Sequence, residues 1–333
     1  MKQKAIVILG MHRSGTSAFA GVLSMLGINF GSNLMPPAFD NEKGYFENID
    51  IYNVNETILS SLGSSWDSLF ALPSQWWLNT NLNIYKDEIR DILRQEFESS
   101  EIFGVKDPRL SWLFPLWREI LDSLNIEYHI IIPVRNPLEV AMSLAKRNNF
   151  SLEKGTLLWT SYNLEAEQQT RKYPRLILSY NKLLECPKDV VKFIADKLKI
   201  NYPWDSLTAM SDIDNFLEPT LRHHDFNFAI EEKRLLNYIF KLYKSLLDLS
   251  GFHDIALPST HAIDDLAAEF INMRNYFYTF ELQDEMKNTL KMKKQLEQIQ
   301  QKIHSMENSF SWKITAPLRS VKTYFNRISK YHL

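Results

Sequence analysis

This sequence of 333 residues has a single cysteine, a small net charge and no long apolar run. The one cysteine, Cys186, excludes a disulfide within the chain and favours a reducing compartment. A net charge of −2 argues against nucleic-acid binding through overall charge. No apolar run reaches about 18 residues, so we expect no transmembrane helix. The sequence therefore predicts a cytoplasmic protein without a nucleic-acid partner.

Aromatic residues are abundant by contrast, and the charges are unevenly placed. The chain has 20 Phe, 14 Tyr and 8 Trp within an apolar fraction of 45%, which is enough to fill a core. Residues 281–333 hold ten Lys and Arg against five Asp and Glu. A basic end on an acidic body predicts a separate role for that end.

Four apolar segments rich in Ile, Val or Leu predict strands buried on both faces of a sheet: 5–9, 102–105, 128–134 and 175–179. Helical patterns predict helices between and after these strands, at 16–26, 137–147, 154–172, 187–198 and 231–249. Strands that alternate with helices form parallel sheets. We therefore expect an α/β fold, with a P-loop-like parallel β-sheet flanked by helices and a C-terminal helical extension.

The composition changes near residue 260, so we expect a domain at 1–255 and a helical connector at 256–291. A short coiled-coil-like helix is predicted at 292–310. Its apolar residues recur at spacings of four and three: Met292, Leu296, Ile299, Ile303, Met306 and Phe310. Such a helix pairs with a second copy or a partner helix, or it packs on the body as one amphipathic helix.

The last segment, 311–333, is basic and amphipathic. It has no Asp or Glu, and it carries Lys313, Arg319, Lys322, Arg327 and Lys330. Large apolar residues lie between these cations, several of them three or four positions apart. This pattern is typical of a helix on an anionic membrane surface, and it predicts peripheral attachment at the inner face of the cell membrane. Docking on the protein's own domain or on a partner is the alternative.

A Gly-rich segment directly follows the first predicted strand: Gly10-Met11-His12-Arg13-Ser14-Gly15-Thr16-Ser17. Its glycines let backbone N–H groups turn around an anion, and the dipole of the following helix adds to their attraction. Arg13 can supply a fork of donors to the same anion. The segment therefore predicts a phosphate-type binding loop.

This loop departs from nucleotide P-loops at one position, because Thr16 stands where kinases and NTPases have lysine. The strand at 128–134 leads into Arg135, whereas such enzymes use an acid there to help hold Mg²⁺. Two cationic groups at one site suit a ligand whose charge is neutralised by protein. No metal site is predicted, and a P-loop small-molecule kinase is the main alternative.

Two segments resemble the family of sulfotransferases that use 3′-phosphoadenosine 5′-phosphosulfate (PAPS). Residues 10–17 resemble the family's 5′-phosphosulfate loop, in the arginine form of the bacterial and tyrosylprotein-type branches. Residues 134–143 resemble its 3′-phosphate motif, RNPxxVAxS. The resemblance implies transfer of a sulfuryl group from PAPS to an acceptor hydroxyl, which leaves 3′-phosphoadenosine 5′-phosphate (PAP).

The same resemblance implies a set of residues that bind the donor: His12, Arg13, Ser14, Gly15, Thr16, Ser17, Arg135 and Ser143. The first six belong to the 5′-phosphosulfate loop. Arg135 and Ser143 bind the 3′-phosphate in the family. Arg222, which follows a Pro-Thr-Leu turn late in the domain, is predicted to join them and to close over the nucleotide.

Two further segments, 44–48 and 106–109, resemble the tyrosylprotein-type branch. They imply Glu47 as the general base and Lys106 as the cation that stabilises the bridging oxygen. His12, inside the Gly-rich loop, is the rival base, and its other role there is to shape the loop or contact the sulfate. Cytosolic sulfotransferases use a histidine base, and this sequence has no clear equivalent of it. Arg13 completes the predicted catalytic set.

The segment 311–319 resembles the SWxxTAPLR segment that follows coiled coils in bacterial surface-polysaccharide enzymes, mostly glycosyltransferases. That resemblance implies a saccharide acceptor, such as a surface polysaccharide or its lipid-linked precursor. A non-catalytic interaction protein that uses the helical tail is the third alternative.

Overall fold

A computed structural model gives the structure of the protein and describes residues 2–200, 212–213, 216–217, 230–253 and 261–308. The chain divides after Ile271 into two compact units. The first unit holds the sheet and its helices. The second begins within the last described helix.

The fold is α/β, and the five strands found in the described residues form a single sheet. The strands are β1 Lys4–Ile8, β2 Ile102–Lys106, β3 Glu127–Val134, β4 Arg175–Ser179 and β5 Gly251–His253. They lie in the order β2-β1-β3-β4-β5. The first four are parallel, which confirms the expected sheet. The edge strand β5 runs antiparallel to β4 and is too short to leave a sequence pattern.

The described helices are α1 Thr16–Met25, α2 Ile49–Ser61, α3 Asn83–Phe97, α4 Leu110–Ser123, α5 Pro137–Asn148, α6 Leu152–Thr170, α7 Tyr180–Glu185, α8 Pro187–Leu198, α9 Ile230–Asp248 and α10 His261–Asn308. Those of the first unit flank the sheet. Two short 3₁₀ turns, Trp76–Leu78 and Thr80–Leu82, precede α3. The five predicted helices are confirmed, and α2, α3, α4 and α7 are additional. None of the described helices combines the length and hydropathy needed to cross a bilayer.

The centre of the sheet is buried on both faces, as its uninterrupted apolar strands predict. Ile6 and Ile8 of β1 and Ile131 of β3 are fully buried, and they share one core cluster with Phe19 and Val22 of α1. Burial of each such side chain stabilises the fold by about 1.5–3 kcal/mol. The core therefore fixes α1, and with it the loop between β1 and α1.

Helix α5 begins as its sequence predicts. The Asn136 side chain accepts a hydrogen bond from the Leu138 N–H at 2.9 Å, and Pro137 occupies the first helical position. Gly155 of α6 faces Ala141 of α5 so closely that a Cβ on Gly155 would lie 2.7 Å from the Ala141 Cα. This contact between small residues sets the position of α5.

In the second unit, α10 continues without a break to Asn308, through most of the segments 256–291 and 292–310. The apolar stripe of the predicted heptad is exposed: Leu296, Ile299, Ile303 and Met306 are each at least 50% accessible. Its pairing with another helix stays a prediction. Residues 309–333 lie outside the described part of the chain.

Gly155→Ala is expected to destabilise the protein by about 1–3 kcal/mol, because overpacking against the Ala141 backbone outweighs a gain in helix propensity of about 1 kcal/mol. Urea denaturation followed by circular dichroism measures the change. Gln168→Ala, at an exposed position of the same helix, is the control and should change the stability by less than about 0.5 kcal/mol. Unchanged stability of Gly155→Ala would show that α5 and α6 separate without cost.

Candidate active site

The candidate site is a cleft of about 480 Å³ at the carboxyl ends of β1, β2 and β3. The chain builds the sheet from β1 to β2 on one side and then places β3 on the other side of β1. Open α/β sheets bind ligands at such a switch point, because the loops after the two central strands diverge there. The topology thus brings the Gly-rich loop and Arg135 to one place.

The Gly-rich loop between β1 and α1 has a left-handed backbone at three positions. The φ angles are +114° at Gly10, +91° at Gly15 and +67° at Arg13. Gly15 also lies under the Tyr180 ring, where a Cβ would come within 2.2 Å of the ring. Arg13, which has a side chain, carries a conformational cost of about 1–2 kcal/mol. Such strain is typical of a functional loop.

The Gly-rich loop, 10–17, and the segment 134–143, which we call the two phosphate-type motifs, meet in this cleft. Arg13 Nε of the loop donates to Ser143 Oγ of α5 at 2.7 Å. Arg135 Nη1 donates to the backbone oxygen of Arg13 at 3.1 Å. Arg135 also stacks on the Tyr180 ring at 4.9 Å and pairs with Glu139 at 2.9 Å. Residues far apart in the sequence therefore form one hydrogen-bonded unit.

A buried ion pair joins the predicted base to the predicted cation. Lys106, at the end of β2, donates to the Glu47 carboxylate, and the two side chains are only 2% and 6% exposed. Burial raises the pKa of Glu47, and the Lys106 ammonium opposes that rise. Lys106 Nζ also donates to Ser17 Oγ of the Gly-rich loop at 3.2 Å. Glu47 and Lys106 thus lie at the loop, as the sequence predicts.

The turn after Lys106 is held by a second buried network. Asp107 is fully buried and accepts hydrogen bonds from Asn55 Nδ2 and from Arg109 Nη1, both at 2.9 Å. Asn55 in turn accepts from Trp117 Nε1 at 2.9 Å. This network fixes the end of β2 and so the direction of the Lys106 side chain.

His12 lies in the loop with its ring 4.6 Å from Trp66. Burial lowers the pKa of His12 well below its ordinary value, and the nearby Arg109 and Arg147 lower it further. The imidazole is therefore neutral near pH 7. Its Nε2 atom is buried and has no hydrogen-bond partner among the described residues.

The cleft is lined by more positive than negative side chains. Its cations are Arg13, Lys43, Lys106, Arg135, Lys146 and Arg147, and its acids are Asp40, Glu42 and Glu47. Ser14 Oγ, in the loop, is buried and has no partner in the described chain. This hydroxyl does not line the cleft, but an excess of cations along the lining fits a polyanionic ligand. Within the described ranges, no group of His, Cys, Asp and Glu is arranged to hold a metal.

Arg222, the last predicted donor ligand, lies outside the described residues. The structure adds Asp40, Tyr45, Arg147 and Tyr180 to the cleft, and sequence reasoning gave them no role. Two of these residues occupy positions that the sequence pattern could have indicated. Arg147 follows Ser143 by one helical turn on α5, and Tyr180 directly follows the carboxyl end of β4.

No family model and no curated protein matches the chain. Among solved structures, it is similar to the sulfotransferase domain of the Synechococcus olefin synthase, at 16% identity and a TM-score of 0.36, over 81% of this chain and 96% of that one. It is also similar to the sulfotransferase domain from the curacin biosynthetic pathway, at 17% identity and a TM-score of 0.35, over 72% and 98% of the two chains.

Proposed function

We propose that the protein is a sulfotransferase that moves a sulfuryl group from PAPS to an acceptor hydroxyl. The observation that carries the proposal is the contact between the two phosphate-type motifs. Arg13 binds Ser143 at 2.7 Å, and Arg135 binds the Arg13 carbonyl at 3.1 Å. Paired cationic groups on separate elements suit a nucleotide with two separate anionic groups, and PAPS carries a 3′-phosphate and a 5′-phosphosulfate.

The residues present fit this donor. Arg13 and the first N–H groups of α1 would hold the 5′-phosphosulfate. Arg135 and Ser143 would hold the 3′-phosphate. Arg135 is already oriented by Glu139 and Tyr180, so little freedom is lost when it binds.

The reaction is an in-line displacement at sulfur. The acceptor oxygen forms a bond to sulfur while the bond from sulfur to the bridging oxygen of the 5′-phosphate breaks. Glu47 takes the hydroxyl proton, and its raised pKa brings it closer to the range in which a general base is efficient. Lys106 neutralises the charge that develops on the bridging oxygen of PAP.

The arrangement of acids favours this reaction over that of a P-loop kinase. A kinase needs carboxylates that are free to help hold Mg²⁺ beside the phosphates. Here Glu47 is paired with Lys106, Asp40 is paired with Arg13, and β3 leads into Arg135. Neutralisation by protein cations is therefore the better account of the cleft.

A saccharide acceptor and attachment of 311–333 to an anionic membrane are proposed from the sequence alone. Self-association through 292–310 is proposed from the sequence and from the exposed side chains of α10. The acceptor and membrane proposals rest on residues outside the described part of the chain. The exposed stripe of α10 supports association, because four large apolar side chains at heptad spacing stand in solvent.

Incubation with sulfur-labelled PAPS and candidate glycans, in the presence of EDTA, tests the function. We expect a labelled glycan.

Arg135→Ala is expected to weaken PAP binding by about tenfold or more, because a charge-assisted contact to the 3′-phosphate is lost. Binding of adenosine 5′-phosphate, which lacks that group, is the matched comparison and should change little. Equal losses for the two nucleotides, or a strict need for Mg²⁺ with ATP as donor, would contradict the proposal.

Glu47→Gln keeps the shape of the side chain but cannot accept the acceptor proton. We expect kcat of the folded variant to fall about 10²-fold or more while its PAP affinity stays within about twofold of the wild type, and we expect the variant to be less stable because Lys106 loses its charged partner. Steady-state kinetics and calorimetric titration with PAP give the two values. If Glu47→Gln turns over normally and His12→Ala does not, His12 is the base.

A further inference from the structure

One acid of the cleft lies where a ligand anion is expected. The Asp40 Oδ2 atom lies 3.5 Å from Arg13 Nη1 and 3.9 Å from Arg147 Nη1. The Tyr45 hydroxyl donates to Asp40 Oδ1, and Arg13 Nη1 donates to the Asp40 backbone oxygen at 2.9 Å. Two guanidinium groups and one phenol therefore surround a single carboxylate.

The two arginines need an anion between them. Burial lowers the pKa of Arg147, and the charge of Arg13 lowers it further, whereas Asp40 opposes this shift. Arg147 cannot move away freely, since its guanidinium lies over the Trp66 ring at 5.3 Å. Arg13 is fixed by its bond to Ser143. The cations thus form a seat whether or not a ligand is present.

We propose that Arg13, Arg147 and Tyr45 form an oxyanion seat for a phosphate or sulfate group of the donor, and that Asp40 occupies this seat until the donor displaces it. The inference rests on the proposed sulfotransferase function and adds Arg147 and Tyr45 to the residues that hold the donor. A phosphate or sulfate group offers three oxygens, and a phosphate also more charge than a carboxylate. Such a group therefore replaces Asp40.

Displacement of the Asp40 side chain breaks its hydrogen bond with Tyr45 and two long contacts with the arginines, whereas the Asp40 backbone oxygen can keep its bond from Arg13. Phe39, the neighbouring residue, is 88% exposed, so its own side chain adds little packing that would resist a movement of Asp40. Asn41 Nδ2 donates to Ser17 Oγ at 3.3 Å, which is a long contact. The Asp40 contacts to Arg13 and Arg147, at 3.5 and 3.9 Å, are also longer than close ion pairs. These distances suit a contact that is made and broken.

Calorimetric titration of the full chain with PAP, without metal, tests the seat. Asp40→Asn keeps the shape of the side chain and removes the competing charge, so we expect PAP affinity to rise about three- to tenfold. Glu42→Gln is the matched control. It removes the same charge from the same loop, at an exposed position that also lines the cleft, and we expect a change of less than about twofold. Circular dichroism checks that each variant is folded.

Arg147→Met in the Asp40→Asn background identifies the bound group. The titrants are adenosine 3′-phosphate and adenosine 5′-phosphate, with inorganic sulfate alongside them. A loss of about tenfold for only one nucleotide assigns the seat to that phosphate. A loss for sulfate alone assigns it to the sulfuryl end. No loss for any of the three overturns the seat.

Two further outcomes separate this inference from the proposed function. If Asp40→Asn binds PAP equally well or more weakly than the wild type, Asp40 positions the arginines and the seat is wrong. If neither protein binds PAP, the sulfotransferase function fails instead. In that case the affinity for inorganic sulfate tests the seat. The seat is supported if Asp40→Asn binds sulfate more tightly than Glu42→Gln does, and it is wrong if the two variants bind sulfate equally well.

Discussion

The hydrogen bond from Arg13 to Ser143 is the contact on which the cleft depends. It joins the loop after β1 to helix α5 across 130 positions of sequence. The loop is placed by the buried sheet, whereas α5 is placed by the close contact between Ala141 and Gly155. Packing on the far side of α5 therefore decides whether the two motifs meet. A shift of about 1 Å in α5 would break a bond of 2.7 Å and separate the two anion-binding groups.

The cations in the cleft repel one another, and two acids of the protein that are buried to different degrees offset this repulsion. Glu47 is 6% exposed and pairs with a Lys106 that is 2% exposed. Removing either partner of such a pair leaves a buried charge and costs about 3–5 kcal/mol, so this pair is a fixed part of the structure. Asp40 is 12% exposed and lies 3.5 Å from an Arg13 that is 25% exposed. That contact is longer and less buried than the pair of Glu47 and Lys106, which makes Asp40 the more exchangeable acid.

The sequence predicts the fold well because buried parallel strands and capped helices leave local patterns. The four parallel strands, the Asn136 cap and the Gly-rich loop are each predicted from a short segment. The cleft is predicted in part: the motif residues Arg13, Arg135 and Ser143 come together as expected. The contacts Arg13–Asp40 and Asn55–Asp107 leave no such pattern, since their partners lie 27 and 52 positions apart and are brought together only by packing. Strand β5 is missed because three residues carry no period.

Recognition and release place opposite demands on a cleft that handles an anionic group, and this cleft meets them with different residues. Arg135 is held by Glu139, by the Tyr180 ring and by the Arg13 carbonyl, so its direction is set in advance. Donors fixed in advance stabilise developing charge without reorganisation. A site that was rigid throughout would also hold the anionic product tightly. An internal acid that returns to the seat lowers the affinity for that product, because the cations are never left without a partner. The fixed arginine thus favours binding, and the returning carboxylate favours release.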